Sequence, residues 1–330
     1  MTTAQPTTAQ PTAPTAPPAV TTTPAAVSTP AATTVNPTAA SRTASTSPAA
    51  PATTPPPADA PYRFFDLRVL RTERLSPSML RVTLGGTGPA AMGSAGRDQR
   101  IKLFFPHPGQ DAPVVPRDDD GNWYAAWCAL DPHVRGIMRT YTTRDLRRDP
   151  DELVVDFALH PGAEGPASRW ATAAAPGDRL CVLAPSGAEN AGYDFRPPPG
   201  TTSYVLAGDE SALPALAGIL ASLPPGAPAR VWIEVQDPAD RQHLPTAADA
   251  EVTWLVRDPA SPLLDAVRAA ALPDPASRPY AWIAGESATV RALRRHLVQD
   301  RGYDRKAIRF SGYWRPGTSE DQLLTSNEAA

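Results

Sequence analysis

Short hydrophobic runs with alternating apolar and polar residues fill the stretch from Tyr62 to about Asn190. Their lengths predict β-strands at Phe64–Arg71, Met79–Gly85, Arg100–Phe105, Gly136–Thr142, Leu153–Leu159 and Arg179–Ala184. Turn-forming Gly, Pro and Asp residues separate these runs, which favours an antiparallel barrel over repeated strand–helix–strand units. One helix is expected here, from Arg169 to Ala175, and the proline-rich residues 106–126 are expected to form an exposed loop.

The pattern changes beyond residue 201. Hydrophobic strands are predicted at Ser203–Ala207, Val231–Val235, Val252–Val256 and Tyr280–Ala284, and helices at Ala212–Leu223, Ser261–Ala271 and Ala288–Asp300. Because strands and helices alternate, the pattern predicts a parallel sheet, in which ligands bind at the carboxyl ends of the strands. Gly208 and Gly285 both fall at such ends.

The composition indicates a terminal tail on each side of these two domains. The chain has 330 residues and 41 prolines, and most of the proline excess lies in residues 1–60, which are nearly all Thr, Ala, Pro, Ser, Val and Gln. Such a segment has too little large apolar surface to offset its ordering entropy, so a disordered tail is expected. The predicted organisation is a tail at 1–60, a β-barrel domain at 61–190, a linker at 191–201, an α/β domain at 202–318 and a second disordered tail at 319–330.

Several function classes find no support in the chain. No run of about 18 apolar residues is present, so no membrane span is expected. Cys128 and Cys181 form no CxxC pair, and the five histidines lack metal-ligand spacing, so no metal site is predicted. The formal net charge is −3, and no recognisable nucleic-acid-binding pattern accompanies the basic residues, so nucleic acid is not expected as a partner.

The stretch Arg139-Thr140-Tyr141-Thr142-Thr143-Arg144 carries the strongest chemical signal. On a strand, Arg139 and Tyr141 share a face, and Thr142 ends the strand near the rim. A guanidinium can grip a pyrophosphate, a phenol ring can pack on a ribityl chain or flat heterocycle, and a hydroxyl can hydrogen-bond a ring nitrogen. These groups suit flavin adenine dinucleotide (FAD), although a surface strand with solvated arginines has the same composition.

Four short motifs follow one another along the chain. They are RxYTxR at 139–144, H-x(4)-GPAS-x-W at 160–170, AGDESALP at 207–214 and GYWR at 312–315. Together they resemble the siderophore-interacting proteins, flavin-dependent ferric-siderophore reductases of the ferredoxin-reductase-like superfamily. The resemblance spans roughly residues 62–318. It implies a Greek-key β-barrel that binds FAD, followed by an α/β domain that binds NADPH or NADH.

The resemblance also implies roles for individual residues. Thr142 is the expected catalytic residue, hydrogen-bonded to the flavin nitrogen that takes the hydride. The other expected cofactor-binding residues are Arg139, Tyr141, His160, Gly165, Ala167, Ser168, Gly208, Asp209, Glu210, Gly285, Glu286, Tyr313 and Trp314. The expected substrate-binding residues are Lys306, Arg309 and Arg315.

Plainer interpretations stay open for some of these residues. His160 can contact the flavin adenine or ribose, or it can cap the turn before Gly162. Gly208 can lie in an ordinary strand-to-helix turn, and the basic residues between 285 and 315 can form a solvated surface. After the second strand of the α/β domain, an acid at Asp237 or Asp240 suits a ribose hydroxyl, whereas Arg241 suits a 2′-phosphate.

The expected function is reduction of a ferric siderophore by NADPH or NADH through FAD, which releases ferrous iron. A cytoplasmic monomer is expected. One alternative is a flavin-dependent oxidoreductase with another acceptor, such as a free flavin, a quinone or a redox protein. The other is a siderophore-binding protein without catalysis.

Overall fold

The computed structural model of the chain describes residues 61–116, 122–160, 165–257 and 262–318. The predicted disordered tails, residues 1–60 and 319–330, lie outside the described residues. The helices of the described ranges are too short or too polar to serve as bilayer-spanning segments.

Seven antiparallel strands form the first sheet. They are β1 (Tyr62–Ser76), β2 (Met79–Gly85), β3 (Arg100–Phe105), β4 (Ile137–Thr142), β5 (Asp145–Arg147), β6 (Glu152–Ala158) and β7 (Arg179–Pro185). Hydrogen bonds join them in the order β4-β3-β7-β1-β2-β6-β5, so β4 and β5 are edges and the sheet is a half-barrel. The predicted antiparallel domain is confirmed, and only β5 is an addition to the predicted strands.

Alternation along the strands places an apolar core on one face of the half-barrel. In β1, Phe65, Leu67 and Val69 are buried, whereas Asp66 and Arg68 between them are exposed. This is the two-residue period expected of a strand with one covered face.

A short helix, α1 (Trp123–Ala129), covers the opposite face of β3 and β7. Its Trp127 is buried against Phe104 and Cys181, and the indole Nε1 donates to the Gly136 carbonyl at 3.0 Å. The prediction of an exposed loop as far as residue 126 is therefore wrong at its end. The physical reason is that Phe104 points away from the main core and needs a cover of its own.

The second sheet is entirely parallel. Its strands are β8 (Ser203–Gly208), β9 (Pro228–Val235), β10 (Asp249–Val256), β11 (Pro279–Glu286) and β12 (Ile308–Trp314), joined in the order β10-β9-β8-β11-β12. The predicted parallel sheet is confirmed. Because the order reverses between β8 and β11, a crevice is expected at their carboxyl ends.

Helices cover both faces of this sheet. Helix α3 (Leu213–Ser222) packs on one face, and α4 (Leu263–Ala269) and α5 (Ser287–Arg295) pack on the other. A π-turn at His296–Asp300 continues α5, so its predicted extent to residue 300 is helical throughout. Short 3₁₀ turns lie at Pro89–Ala91, Pro238–Asp240, Pro275–Ser277 and Arg305–Ala307.

Two buried carboxylates connect the sheets. Asp240 is fully buried, and its Oδ1 accepts hydrogen bonds from the Ser76 hydroxyl at 2.6 Å and the Ser78 amide at 2.9 Å. Asp240 thus binds the β1–β2 turn and is not available to a ribose hydroxyl, which corrects that part of the sequence interpretation.

The second of these carboxylates belongs to Asp98. It accepts hydrogen bonds from the amides of Asp194 and Phe195 and from the indole of Trp282, each at 3.0 Å. Asp98 lies before β3, whereas Trp282 lies in β11. This carboxylate therefore holds the segment between the sheets against both of them.

Candidate functional site

Arg139 and Tyr141 lie on the same face of the edge strand β4. Their register partners on β3 are Leu103 and Ile101, which belong to the core of the half-barrel. The predicted shared face is therefore confirmed. Thr142 ends the strand on the opposite side and is nearly buried.

Aromatic contacts bring helix α2 (Pro166–Ala173) beside this strand. The ring centre of Tyr141 lies 4.4 Å from that of Phe157 in β6. Trp170 of α2 approaches Phe105 at 5.0 Å and Phe157 at 6.3 Å. The strand that carries Arg139 and the helix after the GPAS turn thus meet through one cluster of rings.

The start of α2 has the properties of an anion site. Gly165 is the N-cap residue, and no side chain caps the helix. A Cβ at Gly165 would meet no atom of the described residues within 4 Å. Ala167 and Ser168 follow in that turn and are both buried.

Uncapped amides at a helix start attract phosphate groups. Together with the nearby strand that carries Arg139, they fit the diphosphate of FAD. Residues 161–164, which precede this turn, lie outside the described residues.

Thr142 meets the second sheet at Tyr313. The Thr142 side chain hydrogen-bonds the Tyr313 phenol, and burial raises the pKa of Tyr313 above its ordinary value. The Tyr313 ring also packs edge-on against Trp282, with ring centres 6.5 Å apart. The hydroxyl expected to face the flavin therefore lies at the contact between the two sheets.

His160 follows β6 and also crosses to the second sheet. Its Nδ1 lies 2.9 Å from Gln236 Nε2, and its ring centre lies 5.5 Å from that of Trp314. Burial lowers the pKa of His160, an effect that Asp209 partly opposes and Arg257 reinforces. The imidazole is therefore neutral near pH 7, with Nδ1 accepting from the amide. Its expected role at Gly162 falls outside the described residues.

The two glycine turns of the second sheet are crowded by protein atoms. A Cβ at Gly208 would lie 2.8 Å from the Ala284 carbonyl oxygen, and one at Gly285 would lie 2.5 Å from Asp209 Oδ2. Gly285 also has φ +142, which side chains rarely adopt. Packing between β8 and β11 therefore accounts for both glycines. The groups that approach their backbones closely belong to the protein: the Ala284 carbonyl and the Asp209 carboxylate.

The carboxylates at these turns already have protein donors. Asp209 Oδ2 accepts from the Glu286 amide and from the Trp314 indole, both at 2.8 Å, and Oδ1 accepts from the Ser211 amide at 3.0 Å. Glu286 caps α5, because its Oε2 accepts from the Thr289 amide at 2.8 Å. These contacts give Asp209 and Glu286 positioning roles at the strand ends.

Glu210 is fully buried and forms an ion pair that was not predicted from the sequence. Its two oxygens accept from the terminal nitrogens of Arg257 at 2.9 and 2.8 Å. The Nε of the same guanidinium donates to Glu234 at 2.6 Å. Burial, followed by the Asp209 carboxylate, raises the pKa of Glu210 from 4.5 to about 7, and Arg257 opposes this rise.

Sequence reasoning missed Arg257, Glu234 and Gln236. One signal was available, because Glu234 is an acid inside the apolar run VWIEV, where a buried partner is required. Its partner could not be read from the sequence.

A crevice of about 280 Å³ opens at the point where the strand order reverses. It brings together four predicted residues with two that were missed, Glu234 and Arg257, and with apolar walls from α4 and α5. Its lining includes Asp209, Gly285, Glu286, Trp314, Glu234, Arg257, Thr289, Leu263, Val290 and Leu293. The position is that of a ligand crevice in an open parallel sheet.

The three predicted substrate-binding cations do not cluster at one site. Arg315 follows the carboxyl end of β12, next to the crevice, and Arg309 lies beside Trp282 on β11. Lys306 precedes the amino end of β12. At about 3.3 Å per strand residue, Lys306 and Arg315 are separated by on the order of 20 Å. The structure thus separates Lys306 from the crevice, because a strand intervenes.

Comparison with known proteins places these observations in a family. Residues 68–189 match the family model of the siderophore-interacting FAD-binding domain, and residues 201–317 match that of the siderophore-interacting protein. The NADPH-dependent ferric-chelate reductase of Escherichia coli is 35% identical over 76% of this chain and 93% of its own length. The ferric vibriobactin reductase ViuB of Vibrio cholerae is 31% identical over 77% of this chain and 90% of its own length.

A solved structure agrees with both sheets. The crystal structure of the siderophore-interacting protein SipS from Aeromonas hydrophila superposes with a TM-score of 0.67 at 31% identity. It covers 82% of this chain and 98% of the SipS chain. The likeness thus extends over both the half-barrel and the parallel sheet, and the chain belongs to the family of siderophore-interacting proteins.

Proposed function

We propose that the chain is an FAD enzyme that uses NADPH or NADH to reduce a ferric siderophore and so release ferrous iron. The observation that carries this proposal is the meeting of two sites. The half-barrel that carries the β4 and α2 surface contacts β12 through Thr142–Tyr313 and His160–Trp314, and Trp314 lines the crevice. An electron donor at the crevice and a flavin on the half-barrel would therefore lie on either side of one contact.

Residues of the half-barrel hold the flavin in this proposal. Arg139 grips the diphosphate together with the first-turn amides of α2. Tyr141 would pack on the ribityl chain or the ring, and Thr142 would offer its hydroxyl to a ring nitrogen of the flavin. Bound FAD supplies the conversion of a two-electron hydride donor into one-electron transfers.

The ferric complex is the substrate. Hard oxygen donors hold ferric iron more tightly than ferrous iron, so a one-electron reduction loosens the complex. Arg315 is the candidate that attracts its anionic groups, because it follows the carboxyl end of β12 next to the crevice. Lys306 and Arg309 are not included, since both lie at the amino end of that strand.

Anaerobic stopped-flow absorbance tests the proposal. NADPH or NADH is mixed with the FAD-loaded protein, and a ferric siderophore is then added with a ferrous trap. Bleaching of the flavin, followed by its reoxidation as the ferrous complex appears, is the expected result. Reoxidation only by a quinone, a free flavin or a redox protein would identify another acceptor, and a chain that cannot be loaded with FAD would refute the proposal.

We further propose a cytoplasmic monomer. Reduced nicotinamide nucleotides are supplied in the cytoplasm, and neither Cys128 nor Cys181 is in a disulfide. Light scattering after size-exclusion chromatography measures the mass in solution, which should equal one chain of 34.9 kDa.

A further inference from the structure

A buried cluster of charged groups lies between the crevice and the half-barrel. The Arg257 guanidinium bonds Glu210 at 2.8 and 2.9 Å and Glu234 at 2.6 Å. Both carboxylates are almost completely buried, whereas a quarter of the Arg257 side chain is exposed. One cation therefore holds two carboxylates that come from β9 and from the turn after β8.

The cluster has an excess of negative charge. Asp209 is a third carboxylate next to Glu210, and His160, the histidine on the half-barrel side, is neutral near pH 7 because burial lowers its pKa. Without Arg257, Glu210 and Glu234 would face each other and Asp209 in a poorly solvated site. At least one carboxylate would then take up a proton or move towards water.

Contacts lead from this cluster to both sides of the seam, the contact between the half-barrel and the parallel sheet. Glu210 Oε1 accepts from Gln236 Nε2 at 3.1 Å, and that nitrogen also lies 3.1 Å from the Leu159 carbonyl and 2.9 Å from His160 Nδ1. The amide can serve only some of these acceptors at once, so Glu210 competes with the end of β6 for it. A change at Glu210 therefore reaches the half-barrel directly.

The same guanidinium reaches the crevice. Its central carbon lies 5.7 Å from the ring centre of Trp314, which lines the crevice. This indole also contacts His160, at 5.5 Å between ring centres, and Asp209, which accepts from Nε1 at 2.8 Å. Trp314 is thus held by Arg257, by a residue of the half-barrel and by the turn after β8.

We propose that Arg257 is a positioning residue for electron transfer between the nicotinamide nucleotide and FAD. Its single positive charge offsets part of the negative charge of Glu210 and Glu234 and thereby keeps Trp314 and His160 in contact across the seam. The proposal rests on the proposed function, because alignment of the two sites matters only if both are used in one reaction. Arg257 also lines the crevice, so its effect is measured at saturating nucleotide, where weaker nucleotide binding alone would not slow flavin reduction.

The variant Arg257→Met tests the proposal, since methionine keeps much of the length and removes the charge. We expect the rate of flavin reduction at saturating NADPH or NADH to fall at least ten-fold at pH 8, with FAD affinity within two-fold of wild type. The loss should shrink at pH 6, because protonation of the carboxylates replaces the missing cation. The matched control is Arg230→Met, which removes an exposed ion pair with Glu251 from the same sheet.

A charge-balanced double variant distinguishes the positioning role of Arg257 from a general loss of packing at that residue. Glu210→Gln combined with Arg257→Met removes one negative and one positive charge, so the rate should return to within about three-fold of wild type. If Arg257→Met does not fold, the double variant and Glu210→Gln alone still test the proposal. A double variant no faster than Arg257→Met would overturn it, and so would an Arg257→Met rate within two-fold of wild type.

Hydrogen exchange gives a readout that does not depend on activity. Arg257→Met should exchange faster in residues 153–160 and 308–314, whereas Arg230→Met should match wild type there. If neither nucleotide reduces the flavin of the wild-type protein, the proposed function fails, while faster exchange still supports the contact assigned to Arg257. Unchanged exchange in both segments would overturn the positioning role.

Discussion

Replacing Glu210 with glutamine isolates the free energy stored in one buried carboxyl group. Glutamine has nearly the same shape and keeps one oxygen for Arg257, but it cannot ionise. Glu210 has no exposed surface, so solvent screening does not weaken its interactions. The difference between wild type and Glu210→Gln therefore reports mainly the ionisation of this group.

The expected magnitude follows from the two pKa values of Glu210. The carboxyl ionises near 4.5 in the unfolded chain and near 7 in the folded protein. A difference of about 2.5 in pKa, at 1.36 kcal/mol for each unit of pKa, corresponds to about 3 kcal/mol.

The sign of the effect is set by proton binding. Between pH 4.5 and about 7 the folded protein holds a proton on Glu210 that the unfolded chain has released. The free energy of unfolding therefore falls as pH rises through this window. The contribution is fully present below pH 4.5 and is lost above pH 7.

Urea unfolding of wild type and Glu210→Gln, followed by circular dichroism from pH 4.5 to 8, measures this effect. The stability difference between the two proteins should move by about 3 kcal/mol in favour of the variant as pH rises. The titrating groups that do not interact with Glu210 are common to both proteins and cancel in the comparison. A difference that stays constant within about 0.5 kcal/mol across this range would refute the reasoning.

Three further substitutions have expected outcomes. Arg139→Ala should weaken FAD binding by about 1.5 to 3 kcal/mol, because one charge-assisted contact is lost; a flavin fluorescence titration measures this, and unchanged affinity would remove the role of Arg139. Thr142→Val should slow flavin reduction in stopped-flow while FAD affinity stays within two-fold, whereas an unchanged rate would remove Thr142 from the site. Trp127→Ala should lower the free energy of unfolding by about 3 to 5 kcal/mol, because it empties a buried site under α1; a loss below about 1 kcal/mol in urea unfolding would contradict that packing.

Much of the fold could be predicted because the signal is local. Every strand of the parallel sheet except β12 was predicted within a few residues, since a run such as Ser203–Ala207 is apolar throughout and followed by a turn. Helix α1 was not predicted, because its seven residues are too few to show helical periodicity and they follow a proline-rich loop. The position of α1 depends on Phe104, whose ring it covers, and the sequence of the loop did not indicate which residues would cover that ring.

The candidate site could be predicted only in part. The face shared by Arg139 and Tyr141 follows from the period of a strand, so it was available from the sequence. The partner of Glu234 was not, because Arg257 lies 23 residues away and is brought close by the parallel pairing of β9 with β10. The crowding of Gly208 by the Ala284 carbonyl and of Gly285 by the Asp209 carboxylate was not available either, because it depends on the pairing of β8 with β11.

By itself the sequence determined the order of the strands and helices, the residues that share a face of each strand, and the family. These properties depend on side-chain periodicity and on short motifs, which are contiguous in the chain. Only the tertiary structure decided which charges meet, which glycines are crowded and which cations lie apart. His160 and Trp314 come into contact because strands distant in sequence end at one seam, and the free energies of buried charges depend on such distances.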